Sequence, residues 1–188
     1  MLKSLLLGCA ALIAVSTQVV AQARVSECMA VANRLDAGFH LAALTEDQAR
    51  LTYVGHSTFI VESPGGVKIA TDYAGHAGGL IPDVATMNHA HSSHYTDTPD
   101  PSIKHVLRGW GEAGSPARHD LDVGEVRIRN VPTDIRFGGE GREKDGNSIF
   151  IFEIAGLCIG HLGHLHHELA PGHISAIGRL DVVMVPVD

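Results

Sequence analysis

Three histidines fall within six residues in the segment NHAHSSHYTD: His89, His91 and His94. A second burst, GHLGHLHH, holds His161, His164, His166 and His167, four of the chain's 13 histidines in a seven-residue window. Neutral imidazoles at this density point to a transition metal, because zinc takes nitrogen ligands at about 2.0–2.1 Å and its catalytic sites combine three protein ligands with a water. In an extended segment residues two apart face the same side, so His89 and His91 could share one ion, with His94 arriving after a turn. His161 and His164 supply further ligands from a loop after the GLCIG strand. His166 and His167 are adjacent, their side chains diverge, and local hydrogen bonding or solvation accounts for them better than ligation. The competing reading for all of these residues is that they are loop histidines with local partners.

Other chemistry is carried by fewer residues. Asp97, three residues after His94, is a candidate proton carrier for a metal-bound water, and a helix cap or a solvated carboxylate equally well. His56 in GHSTF is a candidate supporting group behind a metal ligand, or a structural hydrogen-bonding residue. The segment FGGEGREKDGN lacks the GK[ST] ending of a phosphate-binding loop and reads as a flexible flap; Arg136 and Arg142 could meet an anionic substrate, yet exposed arginines on loops are ordinary. No GxSxG is present, and the surroundings of Ser57 give no reason for a serine nucleophile.

Strands must position these groups. LTYVGHSTFIVES alternates β-formers, SPGG breaks it and GVKIATDY resumes, the pattern of a hairpin with a Pro-Gly turn. KHVLRGW and LDVGEVRIRNVP carry further strands, and SIFIFEIAGLCIGH gives two strands joined near Ala155 and Gly156. ELAPGHISAIGRL reads as a helix with Pro171 near its start and Gly178 near its end, feeding DVVMVPV, a buried strand. Residues 26–37 have near-helical spacing behind Ser26 and read as a leading helix. The expectation is an α/β arrangement of sheets covered by a few helices.

A net charge of −7 with no basic stripe argues against nucleic acid and anionic membranes as partners. The start, MLKSLLLGCAALIAVSTQVVAQA, has one Lys, a short apolar run and Ala21 and Ala23 around Gln22, which reads as a secretory signal peptide cut after Ala23. Residues 24–49 then form a helical lead and 50–188 the main domain, in a periplasmic or secreted protein with no membrane contact after cleavage. Export would allow Cys28 and Cys158 to pair; Cys158 as a buried apolar residue is the alternative.

In order, LTYVGHSTFIVES, IATDY, NHAHSSH, GNSIFIFEIAGLCIGHLGH and DVVMVPVD resemble the metallo-β-lactamase superfamily, and within it the zinc-dependent hydrolases similar to the ascorbate-phosphate lactonase. The resemblance covers roughly residues 50–188 and implies an αββα sandwich, two mixed β-sheets flanked by helices, with one or two Zn2+ ions, or another divalent transition metal, at one sheet edge. It implies that His89 and His91 bind a first metal and His94 a second, and that Asp72 is the family's early acidic residue behind the metal ligands. The chain departs from the family pattern HxHxDH at Ser93, from GDTG at His161, and at NVPTDIR, where Asp134 appears without a ligand histidine. The family's last histidine lies beyond a VPVD-like strand, where this chain stops, so the domain is expected to lack its C-terminal part; a truncated gene product is the third reading. Fewer carboxylates hold two cations together less well, which favours one ion. The sum is an exported zinc hydrolase acting on a small-molecule ester, lactone, amide or phosphoester. The alternative is a periplasmic metal-binding or non-catalytic protein of the same fold.

Overall fold

The computed structural model describes residues 43–112, 115–136 and 141–185. The expected leading helix, the signal segment and Cys28 lie outside the described residues.

The first sheet grows from the N-terminal β-formers. Strands β1 (Arg50–Gly55) and β2 (Thr58–Glu62) pair antiparallel, and β3 (Lys68–Ala70) pairs antiparallel with β2. LTYVGHSTFIVES is therefore two strands, because Gly55 at φ 156° and His56 at φ 49° reverse the chain within it. The Pro-Gly turn forms as expected after β2: Val67 donates to Ser63 Oγ at 3.0 Å and Gly66 to the Ser63 carbonyl at 3.0 Å. Parallel strands β4 (Val84–Met87) and β5 (His105–Arg108) complete the order β1-β2-β3-β4-β5.

The second sheet has the order β10-β9-β8-β7-β6. Strands β6 (Asp120–Val123), β7 (Val126–Arg136), β8 (Arg142–Ile154) and β9 (Leu157–His161) form an antiparallel meander, and β10 (Val182–Met184) returns parallel to β9. The β8–β9 connection is the expected tight turn, with Ala155 and Gly156 both at positive φ (54° and 76°), the twist that matches two-residue hairpins. The crossover to β10 carries α1 (Pro171–Ile177), which starts on a proline that has no N–H to leave unpaired and stops at Gly178, φ 73°. Arg142 to Asn147, read from sequence as part of a flap, instead extend β8: Ile135 pairs with Glu143 and Arg136 with Arg142. Glycine content suggested a loop, but a long partner strand supplies the backbone hydrogen bonds that keep this segment extended.

Strand alternation sorts the residues into layers. Val61, Ile69 and Val84 of the first sheet meet Ile128, Phe150, Phe152, Ile154 and Ile159 of the second in the central core. On the outer face of the second sheet Val131, Ile149 and Ile151 are covered by Ile177 of α1. On the outer face of the first, Ile60, Ala70, Ala85 and Met87 are covered by Tyr73, Ala77 and Ile103, all from connecting segments. The sandwich of two mixed sheets is as expected. Helical cover differs: among the described residues α1 is the one α-helix, and it is too short to cross a membrane. Gly75, Gly78, Gly79 and Pro82 in the β3–β4 connection explain why that cover is irregular chain. Cys158 is half-exposed, with Arg179 Nη2 donating to its sulfur at 3.6 Å, so it is not the buried apolar residue that its strand suggested.

Candidate metal centre

Strand β4 ends at Met87, and the chain then folds into a tight double turn, with Ala90 N–H donating to the Asn88 carbonyl at 2.9 Å and His94 N–H to the His91 carbonyl at 2.8 Å. The extended geometry expected to align His89 with His91 does not form. The turn instead drives His94 inward until it is wholly buried. Its Nδ1 lies 2.7 Å from Asp72 Oδ2 and 3.1 Å from Ser57 Oγ. A carboxylate can only accept, so Nδ1 carries the proton and Nε2 is left with its lone pair.

Asp72 follows β3 in a left-handed conformation, φ 40°, and is also wholly buried. Its second oxygen accepts from Asn88 Nδ2 at 2.8 Å, and its carbonyl accepts from Thr58 Oγ1 at 3.0 Å. Asn88 reaches across to the second sheet, accepting from Ser148 N–H at 2.7 Å. Asn147 works within the second sheet: it accepts from His164 N–H at 2.8 Å, in the loop after β9, while its amide donates to Thr133 Oγ1 of β7 at 2.7 Å. Gly163, φ 60°, passes between the two asparagines, where any Cβ would strike both side chains. These asparagines and Gly163 were not legible as site residues, since nothing in their local sequence distinguishes them from ordinary loop and strand residues.

Around His94 the rings of His164 and His56 lie with centroids 4.9 and 5.0 Å away, and His91 at 6.2 Å; His91 and His164 are 5.2 Å apart. The two histidine blocks thus meet, as their spacing suggested. His161, at the end of β9, is fully buried beside Phe59, and both its ring nitrogens lack a hydrogen-bond partner. Ser57 contributes a favourable backbone interaction without reaching hydrogen-bond geometry. Burial pushes the His161 imidazole below its ordinary value, with the neighbouring Asp72 carboxylate opposing.

His89 takes a separate position. Its Nδ1 is 2.7 Å from Glu143 Oε1, and its ring stacks on Trp110 at 5.1 Å with Tyr95 at its edge. Like His94 it is held by a carboxylate at Nδ1, an arrangement that fixes the tautomer of metal-binding histidines. Glu143 reaches it because β8 is extended. Asp97 is exposed and makes no hydrogen bond to any of these histidines. Asp134 is occupied by Asp145 N–H at 3.1 Å and Arg142 at 3.4 Å. His166 is pushed down by burial and by the nearby positive charge of His167, Arg136 and Arg142.

Among the described residues no three His, Cys, Asp or Glu side chains already surround one point closely enough to hold an ion. The donor chemistry nevertheless fits a nitrogen-binding metal. A buried polar atom without a partner is costly, by about 1–3 kcal/mol, and His161 carries two such atoms close to His94.

The beta-lactamase superfamily domain model matches residues 50–188. Among solved structures, a candidate Zn-dependent hydrolase of the metallo-beta-lactamase superfamily from Thermotoga maritima is 28% identical, covering 72% of this chain and 60% of that one, with a TM-score of 0.49. A candidate metal-dependent hydrolase from Parabacteroides distasonis is 13% identical over 72% of this chain and 68% of that one, TM-score 0.48. CmlA, a diiron beta-hydroxylase from Streptomyces venezuelae, is 14% identical over 81% of this chain and 39% of that one, TM-score 0.47. A search of curated proteins finds no match. The family match spans both sheets and both histidine blocks, and the chain belongs to the metallo-β-lactamase superfamily.

Proposed function

We propose that the protein is an exported zinc-dependent hydrolase with a single metal ion, acting on an ester, lactone, amide or phosphoester bond of a small molecule. The observation that carries this reading is His161, fully buried with two unpartnered nitrogens beside the Asp72–His94 pair. The ion would draw three ligands from among His91, His94, His161 and His164, leaving a coordination position for water, with His89 as a further donor at the rim. When bound, zinc supplies a water acidic enough to ionise near neutral pH and polarises the attacked oxygen. Asp72 holds His94 in the tautomer that presents Nε2, and Glu143 does so for His89. Asn88 ties the first histidine block to β8 of the second sheet, and Asn147 on β8 ties the second block to the same strand. No proton-transfer step is assigned to Asp97, whose exposed carboxylate makes no hydrogen bond to these histidines. One ion rather than two follows from the donor set, in which Ser93 and His161 stand where the family resemblance implies carboxylates.

The test is hydrolysis of a panel of esters, lactones, amides and phosphoesters by the purified protein. Activity that is lost on chelation and restored by zinc supports the reading, whereas full activity in a variant lacking both His89 and His91 ends it. Two tightly bound zinc ions per chain would overturn the single-ion assignment. Export is tested by cell fractionation, with the mature protein expected in the periplasm or medium. A second reading, a non-catalytic metal-binding protein, is favoured by the same all-imidazole donor set. Closed four-ligand coordination by spectroscopy would select it, since catalytic zinc keeps an open position.

A further inference from the structure

The β1–β2 turn brings His56 to the Nε2 side of the His94 ring. His56 Nε2 stands 3.3 Å from His94 Nε2, with the rings edge to face. Two nitrogens bound at about 2.0–2.1 Å to one tetrahedral zinc stand about 3.3–3.4 Å apart, because the edge of a tetrahedron is about 1.6 times its radius. In the metal-free protein the same contact is a long hydrogen bond, just beyond the usual range of about 2.7–3.2 Å. His94 Nδ1 is committed to Asp72 and Ser57, so the nitrogen that meets His56 is the one carrying a lone pair.

The turn is also built as a rigid platform. His56 adopts φ 49°, an uncommon conformation for a residue with a Cβ, and such strain persists where the surroundings enforce it. Here Ser57 and Thr58 are buried, Thr71 Oγ1 donates to the Ser57 carbonyl at 3.1 Å and accepts from Phe59 N–H at 2.9 Å, and Thr58 Oγ1 donates to Asp72. The residues flanking His56 are thereby tied to the end of β3, where the carboxylate that orients His94 originates.

We propose that His56 is itself a metal ligand, converging with His94 through the two Nε2 atoms on one borderline-soft divalent cation. This rests on the metal-binding reading above and changes its ligand set: an imidazole from the β1–β2 turn compensates for the acidic ligand that Ser93 does not supply.

The experiment measures zinc affinity of the full chain by competition with a chromophoric chelator, and the visible spectrum of its Co2+ form. It compares the wild type with His56→Asn, His56→Cys and His91→Ala. Asparagine tolerates the left-handed backbone, so the turn is kept while the imidazole is lost. His56→Asn is expected to bind zinc about ten-fold or more weakly and to alter the Co2+ ligand-field bands. His56→Cys is expected to show a sulfur-to-cobalt charge-transfer band, which only direct ligation produces. Wild-type affinity in His56→Asn overturns the inference. So does weaker affinity with an unchanged Co2+ spectrum and no sulfur band, which would make His56 a hydrogen-bonding neighbour. If His91→Ala loses zinc while His56→Asn does not, the hydrolase reading stands and the inference falls; if the wild type binds neither metal, both fall.

Discussion

Each carboxylate oxygen of Asp72 has its own donor: Asn88 Nδ2 for one and His94 Nδ1 for the other. An amide in its place can accept from one of them only by turning its own NH2 group toward the other. Asp72→Asn, which keeps the left-handed backbone accessible, is therefore expected to lower unfolding free energy by about 1–3 kcal/mol. Zinc affinity should fall by about 10–100-fold in the same variant. Urea unfolding and chelator competition measure the two effects, and a variant as stable and as tightly metallated as the wild type would refute the assignment. His161 makes a prediction about pH in the metal-free protein. Its folded imidazole titrates below the ordinary value of 6.5, so below about pH 6.5 the unfolded chain takes up a proton that the folded chain refuses. Stability is fully present above that pH and declines as pH falls through it, until the folded ring also protonates. Urea midpoints at pH 7.5 and 5.5 should differ more in the wild type than in His161→Leu; equal differences would mean that another group carries the effect.

At the scale of elements, the two sheets are joined at the site by a backbone bond, from His89 N–H to the Gly146 carbonyl at 3.0 Å, and by side chains. Asn88 leaves the end of β4 to meet Ser148 on β8, and Asn147 on β8 meets the loop after β9, with Gly163 threaded between them. Gly163→Ala imposes a left-handed conformation on a residue with a Cβ and drives that Cβ into both asparagines. The expected loss is about 2 kcal/mol or more of stability, together with weaker zinc binding, since His164 follows the displaced residue. Thermal unfolding and metal titration of the variant check this, and a change confined to stability would separate the stitch from the metal centre. The β7–β8 ribbon has a similar role, because only an extended β8 carries Glu143 to His89. Composition misled at this element: FGGEGREKDGN has the glycines and charges of a loop, and the pairing of Ile135 with Glu143 that overrides them comes from a different strand.

For the molecule as a whole, a metal that binds only the folded sandwich should stabilise it by mass action, by about 2.7 kcal/mol when free zinc is 100 times the dissociation constant. For a chain of this size that corresponds to a rise in Tm of about 5–10 °C, reversed by a chelator. A calorimetric scan with and without zinc that shows no shift would contradict a built metal centre. Much of the architecture was legible because it rests on local rules. Period-two alternation marked the strands, Ala155 and Gly156 marked their turn, and Pro171 and Gly178 bounded α1. The density of histidine in two blocks likewise pointed to metal before any fold was known. What the sequence by itself determined, then, is the supply of donors and the strands that carry them, since both depend on residue type and near-neighbour spacing. Tertiary structure decided which donors meet. It separated His89 from His94 across a turn, set His56 against His94 from a strand pair 38 positions earlier, and buried His161 without a partner. Those outcomes depend on where the two sheets close on each other, and that geometry is a property of the packed core rather than of any one segment.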